Sequence, residues 1–165
     1  MDERTRKSMA SSERDSWGTP QKFFNAMSKF FGGFSLDVCA SPDNTKCERF
    51  YTKEEDGLKQ SWENEKIFCN PPYGHEPPKW LKKGYEESQK DNLDKVFLVA
   101  ARTDTEWFVE AASKAACIFF IKGRLTFEGG PGTPAFFPSA VIVFNSLMEG
   151  KSTVRWVDRN FECAW

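Results

Sequence analysis

The chain is poor in the residues from which metal centres and nucleophile sites are usually built. It contains one histidine, His75, and five cysteines, none of them in a Cys-x-x-Cys pair. Zinc-ligand spacing is therefore absent, and the odd set of cysteines reads as reduced thiols in a cytoplasmic protein. No apolar stretch approaches the ~18 residues that a membrane span requires, and the polar N-terminal stretch is not that of a signal peptide. An excess of one charge is also missing. Lys and Arg number 23 against 24 Asp and Glu, giving a net charge of −1 and a pI near 6.0. The strongly basic balance of many nucleic-acid binders is not there. Internal repeats and linker-like runs are lacking too, so the 165 residues read as one domain with a real core.

Aromatics, by contrast, are abundant: 16 Phe, 6 Trp and 3 Tyr, mostly inside apolar stretches. One of those stretches, Ile67-Phe68-Cys69, leads straight into Asn70-Pro71-Pro72-Tyr73-Gly74. The apolar run reads as the end of a buried strand. Two prolines then forbid further sheet pairing, because neither can donate a backbone hydrogen bond. Each also holds the residue before it extended. The corner presents one amide side chain, proline-flanked carbonyls and one aromatic ring. Such a set suits an exocyclic amine that must act as a nucleophile. Acceptors on its two hydrogens, the Asn70 side-chain oxygen and the Pro71 carbonyl, localise the nitrogen lone pair and stabilise the charge that develops during attack. Tyr73 is placed to stack on a base.

In chain order, residues 1–16 are polar and mixed in charge, and a disordered tail is expected there. The domain is expected over residues 17–165. Thr19-Pro20 reads as a helix start, with Thr19 as the cap. Phe23, Phe24, Met27, Phe30 and Phe31 follow at helical spacing, and Gly32-Gly33 stops the helix. Phe34 to Ala40 reads as the first strand, carrying Asp37, Cys39, Ala40 and Ser41 at its carboxyl end, where open α/β sheets bind ligands. Asp37 is either a ligand there or the cap of a turn. Arg49 to Thr52 is a candidate strand, Lys53-Glu54-Glu55 a solvated charge run, and Asp56-Gly57 an ordinary turn signal. Residues Glu76 to Asn92 form an amphipathic helix whose Lys79, Lys82 and Lys83 are accounted for by a solvated face. Lys95 to Ala101 is the clearest buried strand. Arg102-Thr103-Asp104-Thr105 follows, with Asp104 capping the next helix. Cys117 to Ile121 is another strand, and the Gly-Pro-rich stretch 129–134 is a mobile loop beside the site. Ser139 to Phe144 and Thr153 to Val157 read as a closing antiparallel hairpin at the sheet edge.

Asn-Pro-Pro-Tyr resembles the signature of amino-methyltransferases that use S-adenosylmethionine. The wider chain resembles the phage-type, Dam-like DNA N6-adenine methyltransferases. The likeness rests on Trp17-Gly18-Thr19-Pro20, Leu36-Asp37-Val38-Cys39-Ala40-Ser41, Asp56-Gly57-Leu58, Ala101-Arg102-Thr103-Asp104-Thr105 and Lys122-Gly123-Arg124-Leu125. The alternation of strands and helices along the chain reads as a doubly wound, mostly parallel α/β sheet with antiparallel strands near the C-terminus, and the resemblance makes it a sheet of the S-adenosylmethionine-dependent methyltransferase type. The implied catalytic residues are Asn70, Pro71, Pro72 and Tyr73. Trp17, Thr19, Pro20, Asp37, Cys39, Ala40, Ser41, Asp56 and Asn70 would hold S-adenosylmethionine, and Arg102, Lys122, Arg124 and His75 would meet DNA. No metal is implied, the oligomeric state is left open, and the setting is a bacterial cytoplasm with a phage or prophage gene. Cys39-Ala40-Ser41-Pro42 stands where methyltransferases usually carry a glycine-rich loop. Two rival readings are a protein glutamine N5-methyltransferase, whose amide substrate suits the same corner, and a non-catalytic DNA-binding remnant.

Overall fold

A computed structural model describes residues 17–148 and 152–164. The expected tail at residues 1–16 lies outside the described residues. The architecture is α/β, built on a mixed sheet of six strands in the order β1-β2-β3-β5-β4-β6. They are β1 (Leu36–Asp37), β2 (Ile67–Cys69), β3 (Lys95–Ala100), β4 (Cys117–Ile121), β5 (Ser139–Phe144) and β6 (Thr153–Val157). β1, β2 and β3 pair in parallel, β5 runs antiparallel to both β3 and β4, and β6 returns to parallel pairing with β4.

Alternation along the strands divides the apolar residues between two faces. Val96 and Leu98 of β3 face one core, and Phe97 and Val99 face the other, as the two-residue period of a strand requires. Helix α1 (Gln21–Phe31) covers the first face through Phe23, Phe24 and Met27. Helices α2 (Pro77–Ser88) and α3 (Glu106–Lys114) cover the second through Trp80, Leu81, Phe108 and Ala111. α1 ends where Gly32 takes a left-handed φ of 75°, and the Gly33 N–H closes back to Ser28 O. At the start of β3, Lys95 is fully buried. Its ammonium donates to both Asp91 carboxylate oxygens at 2.9 Å and to the carbonyls of Glu65 and Trp62, so a charge that would be costly alone is paired on every side.

Several expectations are corrected. β5 and β6 do not pair with each other. β5 is interior, between β3 and β4, and β6 lies at the edge, parallel to β4. The reversed strand is placed by the long connection through residues 122–138, and adjacency in sequence did not indicate that. The first strand is only Leu36–Asp37, and Arg49 to Thr52 contributes one isolated bridge, Phe50 to Asp37. Thr19 does not cap α1: Pro20 occupies that position and makes no side-chain cap. Asp104 does not cap α3 either, since Thr105 stands there. Nor is Lys83 merely solvated. It pairs with Glu87 at 2.9 Å and lies over the Trp62 ring.

Candidate active site

Because five strands share one direction and β5 opposes them, the carboxyl ends of five strands and the start of β5 meet at one edge of the sheet. Asp37 closes β1, Asn70 follows β2, Arg102 follows β3, Lys122 follows β4 and Asp158-Arg159 follow β6. Residues as far apart in sequence as Trp17 and Asn160 reach this edge.

The Asn70 side chain is oriented by a neighbour. Its Nδ2 donates to the Trp17 carbonyl at 3.0 Å. A carbonyl only accepts, so the amide must turn its NH2 toward Trp17, and Oδ1 must face the other way. That oxygen is buried and has no hydrogen-bond partner among the described residues, and the same holds for Thr19 Oγ1. Both side chains line a narrow cavity of about 20 Å³ together with Asp37, Cys39, Asn44 and Lys46. Buried polar atoms are rarely left unpaired. An unpaired amide oxygen, an unpaired hydroxyl and a carboxylate in one crevice are suited to a ligand that brings hydrogen-bond donors.

Asp37 is 2% exposed. Burial pushes its pKa up to about 6, against the opposing effects of N–H donors from Lys46 and Cys39 and of the Lys46 charge. Those two N–H groups donate to its two oxygens at 3.0 and 3.3 Å. The neighbouring thiols feel the same environment. Burial, with Asp37 nearby, raises Cys47 to about 12, and burial together with Cys39 raises Cys69 well above the usual thiol range.

The cavity is roofed by residues 17–18, which form a strap. Gly18 exchanges two backbone hydrogen bonds with Glu128, both 2.9 Å, and the Trp17 ring stacks on Phe127 at 6.0 Å. Glu128 then grips from both sides. One carboxylate oxygen accepts the Gln21 N–H at 2.7 Å, and the other accepts Lys46 Nζ at 2.8 Å. Lys46 also donates to Gln21 Oε1 at 3.0 Å, and its side chain is 4% exposed. Burial works against the Glu128 charge, but the Lys46 and Gln21 donors outweigh it and hold the carboxyl below its usual range. Lys46 and Glu128 escaped notice in the sequence because their pairing spans 82 positions and nothing local marks it.

Tyr73 is packed among aromatics, with ring centroids 5.2 Å from Phe137, 5.8 Å from Phe127 and 6.0 Å from Trp17. Its hydroxyl is buried without a partner among the described residues, and burial pushes its pKa above the usual phenol range. The residue also borders a second cavity of about 310 Å³, shared with Pro71, Arg102, Trp107, Phe136 and Phe137. A third, of about 660 Å³, opens beside the start of α1 and is lined by Pro20, Lys22, Lys122, Asp158 and Arg159.

Of the residues singled out from sequence, Trp17, Thr19, Asp37, Cys39 and Asn70 meet around the narrow cavity, and Pro71, Tyr73 and Arg102 around the aromatic one. Pro20 and Lys122 fall in the basic cleft. Ala40, Ser41, Pro72, His75 and Arg124 line none of these three. Asp56 serves as a turn residue: it caps a short 3-10 turn at Gly57–Lys59, accepting the Leu58 N–H, and pairs with Lys59 at 3.1 Å.

A sequence model described as DNA N-6-adenine-methyltransferase (Dam) matches residues 6–160. A DNA N-6-adenine-methyltransferase of Escherichia phage T1 is 37% identical over 115 residues, which cover 68% of this chain and 47% of the phage protein. One from Haemophilus phage HP1 is 30% identical over 118 residues, covering 71% of this chain and 68% of that protein. The match thus takes in about half the length of the phage T1 relative.

Proposed function

The chain belongs to the DNA N-6-adenine-methyltransferase (Dam) family, and from that premise we propose that it transfers a methyl group from S-adenosylmethionine to the N6 amine of adenine in DNA. The observation that carries this reading is the buried, unpartnered Asn70 Oδ1 beside the Pro71 backbone. Mostly parallel strands, helices on both faces and acceptors at the carboxyl ends of β1 and β2 support a doubly wound sheet of the S-adenosylmethionine-dependent type.

The residues suit that cofactor chemically, since the Asp37 carboxylate and Thr19 Oγ1 can accept from its ammonium and hydroxyl groups around one crevice. The crevice, at about 20 Å³, is far below the ~300 Å³ at which ligand pockets begin, so it would hold only part of the cofactor. Trp17, Thr19, Asp37 and Cys39 would hold the cofactor, which when bound supplies an electrophilic methyl group. Asn70 Oδ1 and the Pro71 carbonyl accept the two hydrogens of the target amine. They would thereby keep its lone pair available on nitrogen and stabilise the positive charge that develops there. The amine nitrogen would take the methyl group and leave the cofactor as the neutral thioether; neither Asn70 nor Pro71 is a base, so the proton shed by the methylated amine would pass to solvent. Tyr73, at the border of the aromatic cavity, stacks on the adenine, which reaches the site only after flipping out of the duplex. Lys122 and Arg124, with Lys22 and Arg159 of the basic cleft, grip phosphates, which positions DNA without reading it. We place the enzyme in the cytoplasm of a bacterial host as a phage or prophage product.

The test is incubation with labelled S-adenosylmethionine and DNA, followed by nucleoside mass analysis. N6-methyladenine is expected, and label in protein glutamine or in no product overturns the proposal. Asn70→Ala is expected to lose about 100–1000-fold in turnover, as removal of one preorganised electrostatic partner typically does, with the fold retained.

A further inference from the structure

We propose that Glu128 and Lys46 are positioning residues that, by clasping the Trp17-Gly18 strap, hold the Asn70 amide with Oδ1 toward the reacting amine. The inference rests on the reading of Asn70 given under Proposed function. An asparagine amide is nearly symmetric in shape but opposite in chemistry at its two ends. Turned the wrong way, it would set an NH2 donor against the hydrogens of the target amine and withdraw an acceptor from the charge that develops there. Something must therefore specify the orientation. The one polar group that bonds the Asn70 amide among the described residues is the Trp17 carbonyl, at 3.0 Å.

That carbonyl belongs to neither a helix nor a strand of the sheet. It is fixed by the two-way backbone bridge between Gly18 and Glu128 and by the packing of Trp17 on Phe127. The bridge is fixed in turn by the Glu128 side chain, which ties the first residue of α1 to Lys46. Lys46 is anchored at its own backbone, where its N–H donates to Asp37 Oδ2. The contacts run as a chain round the cavity, from Asp37 through Lys46, Glu128 and Gly18-Trp17 to Asn70. Neither Glu128 nor Lys46 needs to touch the adenine. Their effect passes through the Trp17 carbonyl, and a near-ångström error in the acceptor it orients is costly.

A double-mutant cycle on turnover, at saturating DNA and S-adenosylmethionine, separates this role from mere support. Glu128→Ala is expected to lower turnover by about 10–100-fold in the wild-type background and by less than about threefold in the Asn70→Ala background, where no amide remains to orient. Lys46→Met enters the clasp from the other side and should behave alike. It serves if Glu128→Ala fails to fold, with a cooperative thermal melt required of every variant. Losses that multiply in the double variant show that Glu128 acts independently of Asn70, and they overturn the proposal. So does wild-type turnover in folded Glu128→Ala and Lys46→Met when Asn70→Ala is impaired. Wild-type turnover in Asn70→Ala itself instead overturns the reading of Asn70 on which the clasp depends.

Discussion

Asp37 is an acid under opposing influences. Desolvation favours its neutral form, while two N–H donors and Lys46 favour the carboxylate, and desolvation wins, raising the pKa from 3.8 to about 6. The folded state therefore holds this proton to higher pH than the unfolded chain does. Stability falls as pH rises from about 4 to about 6, by about 3 kcal/mol for a shift of this size, and the penalty persists above that window. Asp37→Asn removes the titration, so urea midpoints of the two proteins between pH 4 and 7 should diverge in favour of the variant as pH rises. Parallel curves would refute the assignment. A ligand bringing positive charge against Asp37 would offset the penalty. Tyr73 poses a different question, because its ring is caged by aromatics and its hydroxyl bonds nothing among the described residues. Stacking needs only the ring. Tyr73→Phe should keep turnover within a few fold, while Tyr73→Ala loses about 1–3 kcal/mol. Equal losses in both variants would assign the work to the hydroxyl.

At the scale of elements, α2 sits so close to the sheet that Gly84 has no room for a side chain. A Cβ there would lie 2.2 Å from the Phe97 ring. That ring is fully buried between Trp62 and Phe144 and cannot withdraw. Replacing Gly84 by alanine gains roughly 0.5–1 kcal/mol of helix preference, but overpacking costs about 1–3 kcal/mol, so Gly84→Ala should lower the urea midpoint. A raised midpoint would mean that the helix floats more freely than its packing indicates. The sequence announced α2 and β3 clearly, because an amphipathic period and an unbroken apolar run are local properties. Asn70-Pro71-Pro72-Tyr73 was equally legible, since the prolines end the strand wherever the rest of the chain goes. Thr19 was not. Thr-Pro is a local cap signal, yet here the glutamate at 128 takes the Gln21 N–H that a cap would serve nearby. The interior place of β5 was also hidden, because pairing with β3 and β4 is a long-range choice that adjacency to β6 cannot report.

For the whole molecule, every described segment belongs to this one sheet or to its connections, and none forms a separate recognition body. Reading a base pair requires side chains that reach its edges, each good contact adding about 1–3 kcal/mol of discrimination. The cations best placed at the functional edge, Lys22, Lys122, Arg124 and Arg159, are exposed and suited to phosphates. With a net charge of −1, binding should be weak and fall steeply with salt, each phosphate contact adding ~0.9 to the logarithmic slope. Four such contacts give a slope of about −4 or less in magnitude. Methylation should then occur at adenines in a motif of only a few base pairs, or in many contexts. The measurement is to methylate a genomic DNA devoid of N6-methyladenine and map the marks by single-molecule sequencing, with binding followed across a salt series. Marks confined to one long, strictly defined site would contradict this expectation, and the recognition surface would then lie outside the described residues.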